Sequence, residues 1–167
     1  MKVGLMQINN SFSGQSYFPY SVGMLQVYAL ENLKNSENYN FLLPIYSRVK
    51  IEDGVQQLLE ADIILISLYV WNIRLSLEIA KQVKKLKPEI IIVCGGPQVP
   101  DHGDSFLRDN HFVDLACHGP GEKIICSILE NCAEKNWKEI PSVSFFDEEG
   151  HFVQYPKLTR NKNYSQL

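Results

Sequence analysis

The chain has 167 residues, of which 45% are hydrophobic and 21% are charged, a composition typical of one soluble globular domain. A formal net charge of -3 without any Lys/Arg run argues against nucleic acid or an anionic membrane as a partner. The chain start lacks the apolar core of a signal peptide, and no stretch approaches the ~20 apolar residues of a membrane span. We therefore expect a cytoplasmic protein.

Strand and helix patterns alternate from the beginning of the chain. The predicted elements of the first part are, in order, a strand at Lys2–Ile8, a helix with Val22, Leu25, Ala29 and Leu33 on one face, a weaker strand at Phe41–Tyr46, a short helix with Val55, Leu58 and Leu59, and a strand at Ile63–Ser67. The third strand is a continuous apolar run, which is typical of a strand buried on both faces.

The alternation continues in the second half. The predicted elements there are a helix with Leu75, Ile79, Val83 and Leu86 that ends before Pro88, a strand at Ile90–Cys94, a short strand at Leu115–Cys117, and a helix with Ile124, Ile125, Ile128, Leu129 and Cys132. Such repeating units imply right-handed crossovers, so the pattern predicts an α/β fold with a doubly wound, parallel, five-stranded sheet. We choose the strand order 2-1-3-4-5.

The carboxyl-terminal part has a different pattern. Ser142–Asp147, the turn after it and His151–Gln154 predict an antiparallel β-hairpin, after which the chain is polar and aperiodic. The sequence thus predicts a main domain at 1–139, a hairpin extension at 140–156 and a linker at 157–167.

The cysteines and histidines do not form a metal-binding pattern. Cys94, Cys117, Cys126 and Cys132 follow no zinc or iron–sulfur spacing, and we interpret them as buried thiols. The histidines show no paired spacing, and each is interpreted as a surface or capping residue, with His102 and His118 nearest to the expected ligand edge. The remaining two histidines are His111 and His151. The chain is therefore predicted to contain no metal ligand.

Unusual loops follow three of the predicted strands. The first loop, 9–20, contains four aromatic residues; the second ends in Tyr69, Trp71 and Asn72; the third begins with Gly95-Gly96-Pro97. In the assumed strand order these loops flank the point where the chain reverses direction, which is where open α/β sheets bind ligands. They predict a broad, flat cleft lined by aromatic side chains.

Four segments together carry a resemblance to a known family. They are Ser67-Leu68-Tyr69-Val70-Trp71-Asn72, Gly95-Gly96-Pro97-Gln98-Val99, Val113-Asp114 leading to Gly119-Pro120-Gly121-Glu122, and Ile140-Pro141-Ser142-Val143-Ser144. In this order, and at these strand ends, they resemble the amino-terminal cobalamin (vitamin B12)-binding domain of cobalamin-dependent radical S-adenosylmethionine enzymes. The resemblance covers nearly the whole chain.

The resemblance implies a flavodoxin-like (Rossmann-type) domain that holds cobalamin over the carboxyl ends of the strands, with the nucleotide tail threaded into the sheet. Ser67 matches a serine that the family places against the lower base or tail. Gly95 and Gly96 match glycines that make room for the tail; a tight turn alone is the alternative explanation for this pair.

The same resemblance assigns a role to the turn before the last helix. Gly119, Gly121 and Glu122 match the family's Gly-x-Gly-Glu turn, with Pro120 at the variable position. Free N–H groups at a helix amino terminus can bind a polar edge or an anion of the cofactor. Alternatively, Glu122 is an ordinary first-turn carboxylate stabilised by the helix dipole.

One departure from other cobalamin proteins concerns the cobalt. Many of them carry Asp-x-His-x-x-Gly after the first strand, where this chain has Asn9-x-Ser11-x-x-Gly14 and therefore no histidine lower ligand. Our hypothesis is that the loop Tyr69–Asn72 lies against the lower face of the cofactor and that Trp71 or Tyr69 shields this face. Alternatively, these two aromatic residues only cap the edge of the sheet.

The complete set of predicted cofactor-binding residues comes from these loops. It consists of Asn9, Ser11, Gly14, Ser67, Leu68, Tyr69, Val70, Trp71, Asn72, Gly95, Gly96, Pro97, Gln98, Gly119, Gly121 and Glu122. No catalytic residue is predicted.

The catalytic half of such an enzyme is missing from this sequence. The Cys-x-x-x-Cys-x-x-Cys motif that holds a [4Fe-4S] cluster is absent, so S-adenosylmethionine and the cluster are expected only in a separate radical domain, supplied in cis or in trans. The resemblance implies a methyltransferase acting on a substrate carbon. Two alternatives stay open: a stand-alone cobalamin carrier or sensor, and a flavodoxin-like domain that binds a flavin or another ligand.

Overall fold

The computed structural model describes residues 1–158, in which seven strands form one sheet with helices on both faces. The strands are β1 (Lys2–Met6), β2 (Ser11–Phe12), β3 (Gln15–Ser16), β4 (Asn40–Phe41), β5 (Ile63–Ser67), β6 (Ile91–Gly95), β7 (Leu115–Cys117), β8 (Val143–Phe146) and β9 (Phe152–Gln154), of which β2 and β3 form a separate hairpin. The helices are α1 (Tyr20–Asn32), α2 (Ile51–Leu58), α3 (Ile73–Leu86), α4 (Asp104–Asp109) and α5 (Glu122–Glu130), with a 3-10 turn at Ser36–Asn38.

The strands of the sheet lie in the order β4-β1-β5-β6-β7-β8-β9. The first five are mutually parallel, and β8 and β9 continue the sheet as an antiparallel hairpin. The predicted α/β class with a parallel, doubly wound arrangement is therefore confirmed. The five parallel strands β4, β1, β5, β6 and β7 lie in the predicted order 2-1-3-4-5. The predicted hairpin extension pairs with β7 through β8, so the complete sheet has seven strands.

Alternate side chains of each central strand point to opposite faces of the sheet, as the period of a strand requires. On one face, Leu65 and Val93 belong to the core that α1 and α5 cover. On the other face, Ile64 and Ile92 belong to the core that α2, α3 and α4 cover. Burial on both faces explains why β5 and β6 are continuous apolar runs rather than alternating ones.

The structure departs from the prediction most clearly at the second strand and between the fourth and fifth strands. The second strand was expected at Phe41–Tyr46, but regular pairing stops at Phe41 and only an isolated bridge between Met6 and Ile45 follows. No helix was expected between the fourth and fifth strands, where the structure has α4. Its six residues are too few to establish a periodic pattern, although Phe106 and Leu107 are buried.

The end of the described chain packs back on the sheet. The backbone N–H of Ser142 donates to the Pro156 carbonyl at 3.0 Å, and the N–H of Leu158 donates to the Ser142 hydroxyl at 2.7 Å. Apart from Lys157 and Leu158, the predicted linker at 157–167 lies outside the described residues. Within residues 1–158, no helix has both the length and the apolar character needed to cross a bilayer.

Candidate functional site

A cavity of about 260 Å³ opens at the carboxyl ends of β5, β6 and β7. It lies between the sheet and the pair of helices α1 and α5, which contribute Met24 and Leu25 on one side and Ile124 and Ile128 on the other. Parallel strands bring their carboxyl ends, and the loops that follow them, to a single edge. The cavity is therefore at the place where the sequence predicted a ligand crevice.

The strand ends that form the cavity wall are in register. Ser67 of β5 lies opposite Gly95 of β6, and Leu65 lies opposite Val93 two residues earlier in the same strands. Because side chains alternate, all four positions face α1 and α5. The small residues Ser67 and Gly95 thus leave the entrance wide, and the larger apolar side chains line the interior.

The two adjacent glycines have different surroundings. Gly96 has φ of +96°, and a Cβ there would lie 2.7 Å from the Leu68 carbonyl oxygen and 2.8 Å from the Leu68 nitrogen. A Cβ on Gly95 would meet only the Cβ of Cys117, at 3.7 Å. The missing side chain of Gly96 therefore makes room for the neighbouring backbone, while that of Gly95 keeps the cavity wall open.

The turn before α5 forms one side of the entrance. Gly119 has φ of +83° with open space around it, and Gly121 is the N-cap of α5 without any side-chain cap. The first N–H groups of α5 consequently have no side-chain partner. A Cβ on Gly121 would lie 3.1 Å from a methyl group of Leu25, so α1 and this turn are in close contact.

The aromatic residues after β5 form the opposite side. The rings of Tyr69 and Trp71 are stacked, with centroids 4.6 Å apart and planes inclined by 15°. The Tyr69 hydroxyl is hydrogen-bonded to the Ser21 hydroxyl at 2.7 Å, and an Arg48 guanidinium N–H donates to the Trp71 carbonyl at 3.2 Å. Tyr69 lines the cavity, while Trp71 and Val70 are 41% and 71% exposed.

Two buried asparagines hold the loops of this edge in place. The Asn72 amide donates to the carbonyls of Ile8 at 3.0 Å and Ser67 at 3.1 Å, and the Asn72 side-chain oxygen accepts from the Tyr69 N–H at 2.8 Å. The Asn9 amide donates to two carbonyls of the first loop, each at 3.2 Å. These hydrogen bonds join the ends of β1 and β5.

The structure brings seven of the predicted site residues to the cavity. They are Ser67, Tyr69, Gly95, Gly96, Gly119, Gly121 and Glu122. The other predicted residues do not line it. Of these, Leu68 is buried in the core on the opposite face, Ser11 and Gly14 lie in the exposed β2–β3 hairpin, and Asn9, Val70, Trp71, Asn72, Pro97 and Gln98 lie in the surrounding loops.

The helical walls of the cavity were not predicted from the sequence. Leu25 and the isoleucines of α5 were recognised only as apolar faces, and Ser21, Met24 and Cys117 were not assigned to the site. Periodicity identifies a buried face but does not distinguish a filled contact from a gap.

Burial raises the pKa of the Cys117 thiol to about 12, so this thiol is protonated at neutral pH.

The expectation that every histidine is a surface or capping residue is wrong for His118. Its side chain is buried, with Nε2 2.9 Å from the Ser144 hydroxyl. Burial lowers the pKa of His118, and the charge of Lys157 acts in the same direction. His118 directly follows β7, and β8 covers it because the hairpin adds to the sheet.

Sequence comparison identifies two curated relatives. The chain is 30% identical over 130 residues to the cobalamin-dependent radical SAM methyltransferase TokK of Streptomyces tokunonensis. It is 32% identical over 134 residues to the 2-(S-pantetheinyl)-carbapenam-3-carboxylate methyltransferase of Streptantibioticus cattleyicolor. Each match covers 77% of this chain but 19% of the relative, so the chain spans about a fifth of their length.

A structural comparison and a family model also match cobalamin-binding proteins. The fold superimposes with a TM-score of 0.73 and 20% identity on the cobalamin-dependent S-adenosylmethionine radical enzyme OxsB, solved with aqua-cobalamin and S-adenosylmethionine, over 95% of this chain and 22% of that one. The family model of the B12 binding domain matches residues 33–129. Since that match covers more than half of the chain, the protein belongs to the B12 binding domain family.

Proposed function

We propose that this domain binds cobalamin at the carboxyl edge of its sheet and presents it to a radical S-adenosylmethionine domain that acts in cis or in trans. The observation that carries the proposal is the cavity between β5, β6, α1 and α5, which opens at the stacked pair of Tyr69 and Trp71. In this proposal the cavity holds the nucleotide tail and the loops around it support the corrin ring.

The residues at this edge fit the cofactor in three respects. Gly95 leaves the wall open where any larger side chain would enter the cavity. The uncapped amino terminus of α5 offers N–H donors to the polar part of a nucleotide tail. The apolar interior formed by Leu65, Val93 and α5 suits an aromatic base.

The lower face of the cofactor is assigned to the loop Tyr69–Asn72. The position that supplies a histidine in many other cobalamin proteins is Ser11 here, and it lies in the exposed β2–β3 hairpin. The stacked Tyr69 is held by the hydrogen bond between its hydroxyl and Ser21 and by the hydrogen bond from its backbone N–H to Asn72. A flat, rigid aromatic surface of this kind shields without coordinating.

The names of the two curated relatives support the reaction class that we propose. TokK and the Streptantibioticus cattleyicolor enzyme are methyltransferases, and TokK is a cobalamin-dependent radical SAM enzyme. Cobalamin, when bound, supplies cobalt-centred methyl transfer. We propose that the enzyme served by this domain methylates a substrate carbon and acts in the cytoplasm. The net charge of -3 argues against nucleic acid as a partner.

The experiment that tests this proposal is retention of the cofactor. The purified 167-residue chain is incubated with hydroxocobalamin, desalted, and examined by absorption spectroscopy. We expect about one cobalamin per chain to be retained, and flavin mononucleotide to be lost in the same procedure. A colourless protein after desalting, or retention of the flavin instead, contradicts the proposal.

A variant at the cavity wall tests the location. Gly95→Val should abolish retention, because its side chain would enter the cavity from β6 without meeting the backbone of β5. The control is Gly150→Ala on the β8–β9 turn, where φ of +80° makes the new residue strained but its Cβ would meet no atom within 4 Å; this variant should retain cobalamin as the wild type does. Equal retention by Gly95→Val and the wild type contradicts the assignment of the cavity.

A further inference from the structure

The interior of the cavity is more apolar than its entrance. Leu65 and Val93 lie two residues inside the strand ends and are 4% and 5% exposed. Ile124, Ile125 and Ile128 of α5 face the same cavity and are 1–3% exposed. A ring that reaches this interior contacts aliphatic carbon on both broad sides.

The polar side chains of the cavity wall are at its entrance. Ser67 is at the last residue of β5, Glu122 is at the first residue of α5, and the hydroxyls of Ser21 and Tyr69 are bonded to each other. Two backbone carbonyls at the strand ends are also engaged, since Ser67 accepts from the Asn72 amide and Gly95 accepts from the Leu68 N–H. Cys117 contributes a protonated thiol, which is a weak hydrogen-bonding group.

We propose that this cavity selects among cobamides by their lower base, accepting an apolar aryl base and disfavouring a purine base that carries an exocyclic amine. The inference rests on the proposed function, because it takes the cavity as the site of the nucleotide tail. It goes beyond that function by specifying the chemical class of cobamide that the domain uses.

The physical reason is the cost of an unpaired polar group. An amine that enters the interior loses its hydrogen bonds to water and finds no free side-chain acceptor among Leu65, Val93 and the α5 isoleucines. A methyl group in the same place gains contact with these side chains. The expected result is an affinity about 10- to 100-fold lower for the purine-containing ligand.

The test compares two complete cobamides with the 167-residue protein. One carries p-cresol as lower base and the other carries adenine; dissociation constants are measured by absorption or tryptophan-fluorescence titration. Both ligands have the same corrin ring, so their ratio of dissociation constants depends on the base. Cobinamide, which has no nucleotide, serves as the reference for binding by the corrin alone.

Variants of the wall locate the discrimination. Cys117→Ser and Val93→Thr each add a hydroxyl acceptor with little change of shape, while Cys117→Ala and Val93→Ala remove atoms without adding one. Any difference between the free ligands in solution is identical for all variants and cancels when their ratios are compared. We expect at least one hydroxyl variant to narrow the ratio threefold or more relative to its alanine control, with folding verified by circular dichroism.

Distinct outcomes separate the two levels of the argument. If neither cobamide is retained by the wild type, the proposed function fails. If both bind within threefold of each other, cobamide binding stands and the selectivity proposal is overturned. A wild-type ratio that neither hydroxyl variant narrows relative to its alanine control also overturns it, because the discrimination then arises outside this wall.

Discussion

At the scale of single residues, the pair Gly95-Gly96 shows how neighbours in sequence serve different purposes. Gly96 has a positive φ and faces the backbone of Leu68, whereas Gly95 has room for a side chain only within the cavity. The resemblance assigns both glycines to the cofactor tail. The geometry explains why a glycine is required at position 96 without reference to any ligand.

Gly96→Ala should therefore reduce stability. Its Cβ would approach the Leu68 carbonyl to 2.7 Å, and φ of +96° is unfavourable for any L residue. We expect a loss of about 1 to 3 kcal/mol in the free energy of unfolding, measured by urea denaturation. Gly119→Ala is the control, since its φ of +83° carries similar strain without a nearby atom; an equal loss in both variants would contradict the role of the Leu68 contact.

The buried His118 should make stability depend on pH. Its folded-state pKa is lowered by burial, so below the ordinary value of 6.5 the unfolded chain binds a proton that the folded protein does not. Stability should thus fall as the pH decreases from 6.5 toward the folded-state pKa, with a slope of at most about 1.4 kcal/mol per pH unit from this residue. Denaturation of the wild type and His118→Gln between pH 7.5 and about 5 measures this contribution. Parallel pH profiles of the two proteins would show that His118 does not contribute.

At the scale of elements, the edge of the sheet beside the cavity is held together by hydrogen bonds between loops as well as by the strands. Asn72 connects the end of β1, the end of β5 and the turn into α3 through a side chain that is 1% exposed. It fixes the start of the segment that contains Tyr69 and Trp71. The aromatic stack therefore depends on a residue that does not line the cavity.

Asn72→Ala should destabilise the protein by about 2 to 4 kcal/mol, because it leaves two buried carbonyls and one N–H without their partner. Asn32→Ala is the matched control. That asparagine is exposed and donates only to the Tyr28 carbonyl of its own helix, so a change of less than about 0.5 kcal/mol is expected. Urea denaturation of both variants measures these changes in the free energy of unfolding. Equal losses in the two variants would contradict the role of Asn72.

At the scale of the whole molecule, the β8–β9 hairpin belongs to the same sheet as the parallel strands. Val143 and Phe145 are 0% and 5% exposed and lie in the core shared with α1 and α5. Without β8, the apolar edge of β7 would be open to solvent. The segment predicted as a hairpin extension, 140–156, thus continues the sheet of the preceding residues.

A chain ending at residue 139 should lose cooperative folding, whereas one ending at residue 158 should keep it. Burial of each large apolar side chain of the hairpin contributes about 1.5 to 3 kcal/mol, and two such losses approach the whole stability of a small domain. Thermal melting followed by circular dichroism compares the two chains. A cooperative transition of the shorter chain at the temperature of the longer one would contradict this view.

The sequence alone determined the α/β class, the central strands and the edge of the sheet at which the cavity lies. These features follow from local signals, namely the apolar runs of β5 and β6, the small residues after them and the helical periodicity between them. The segments with unusual composition, such as Ser67 to Asn72, were recognised because they interrupt those patterns.

Only the tertiary structure decided which residues line the cavity and why Gly95 and Gly96 have different roles. The cavity exists because α1 and α5 cross the sheet far apart in sequence but side by side in space, and no local pattern records the gap between them. The contact of Gly96 with Leu68 and the burial of His118 under β8 likewise join distant segments. Composition and periodicity report which side chains leave water, but their partners are set by the packing of the complete chain.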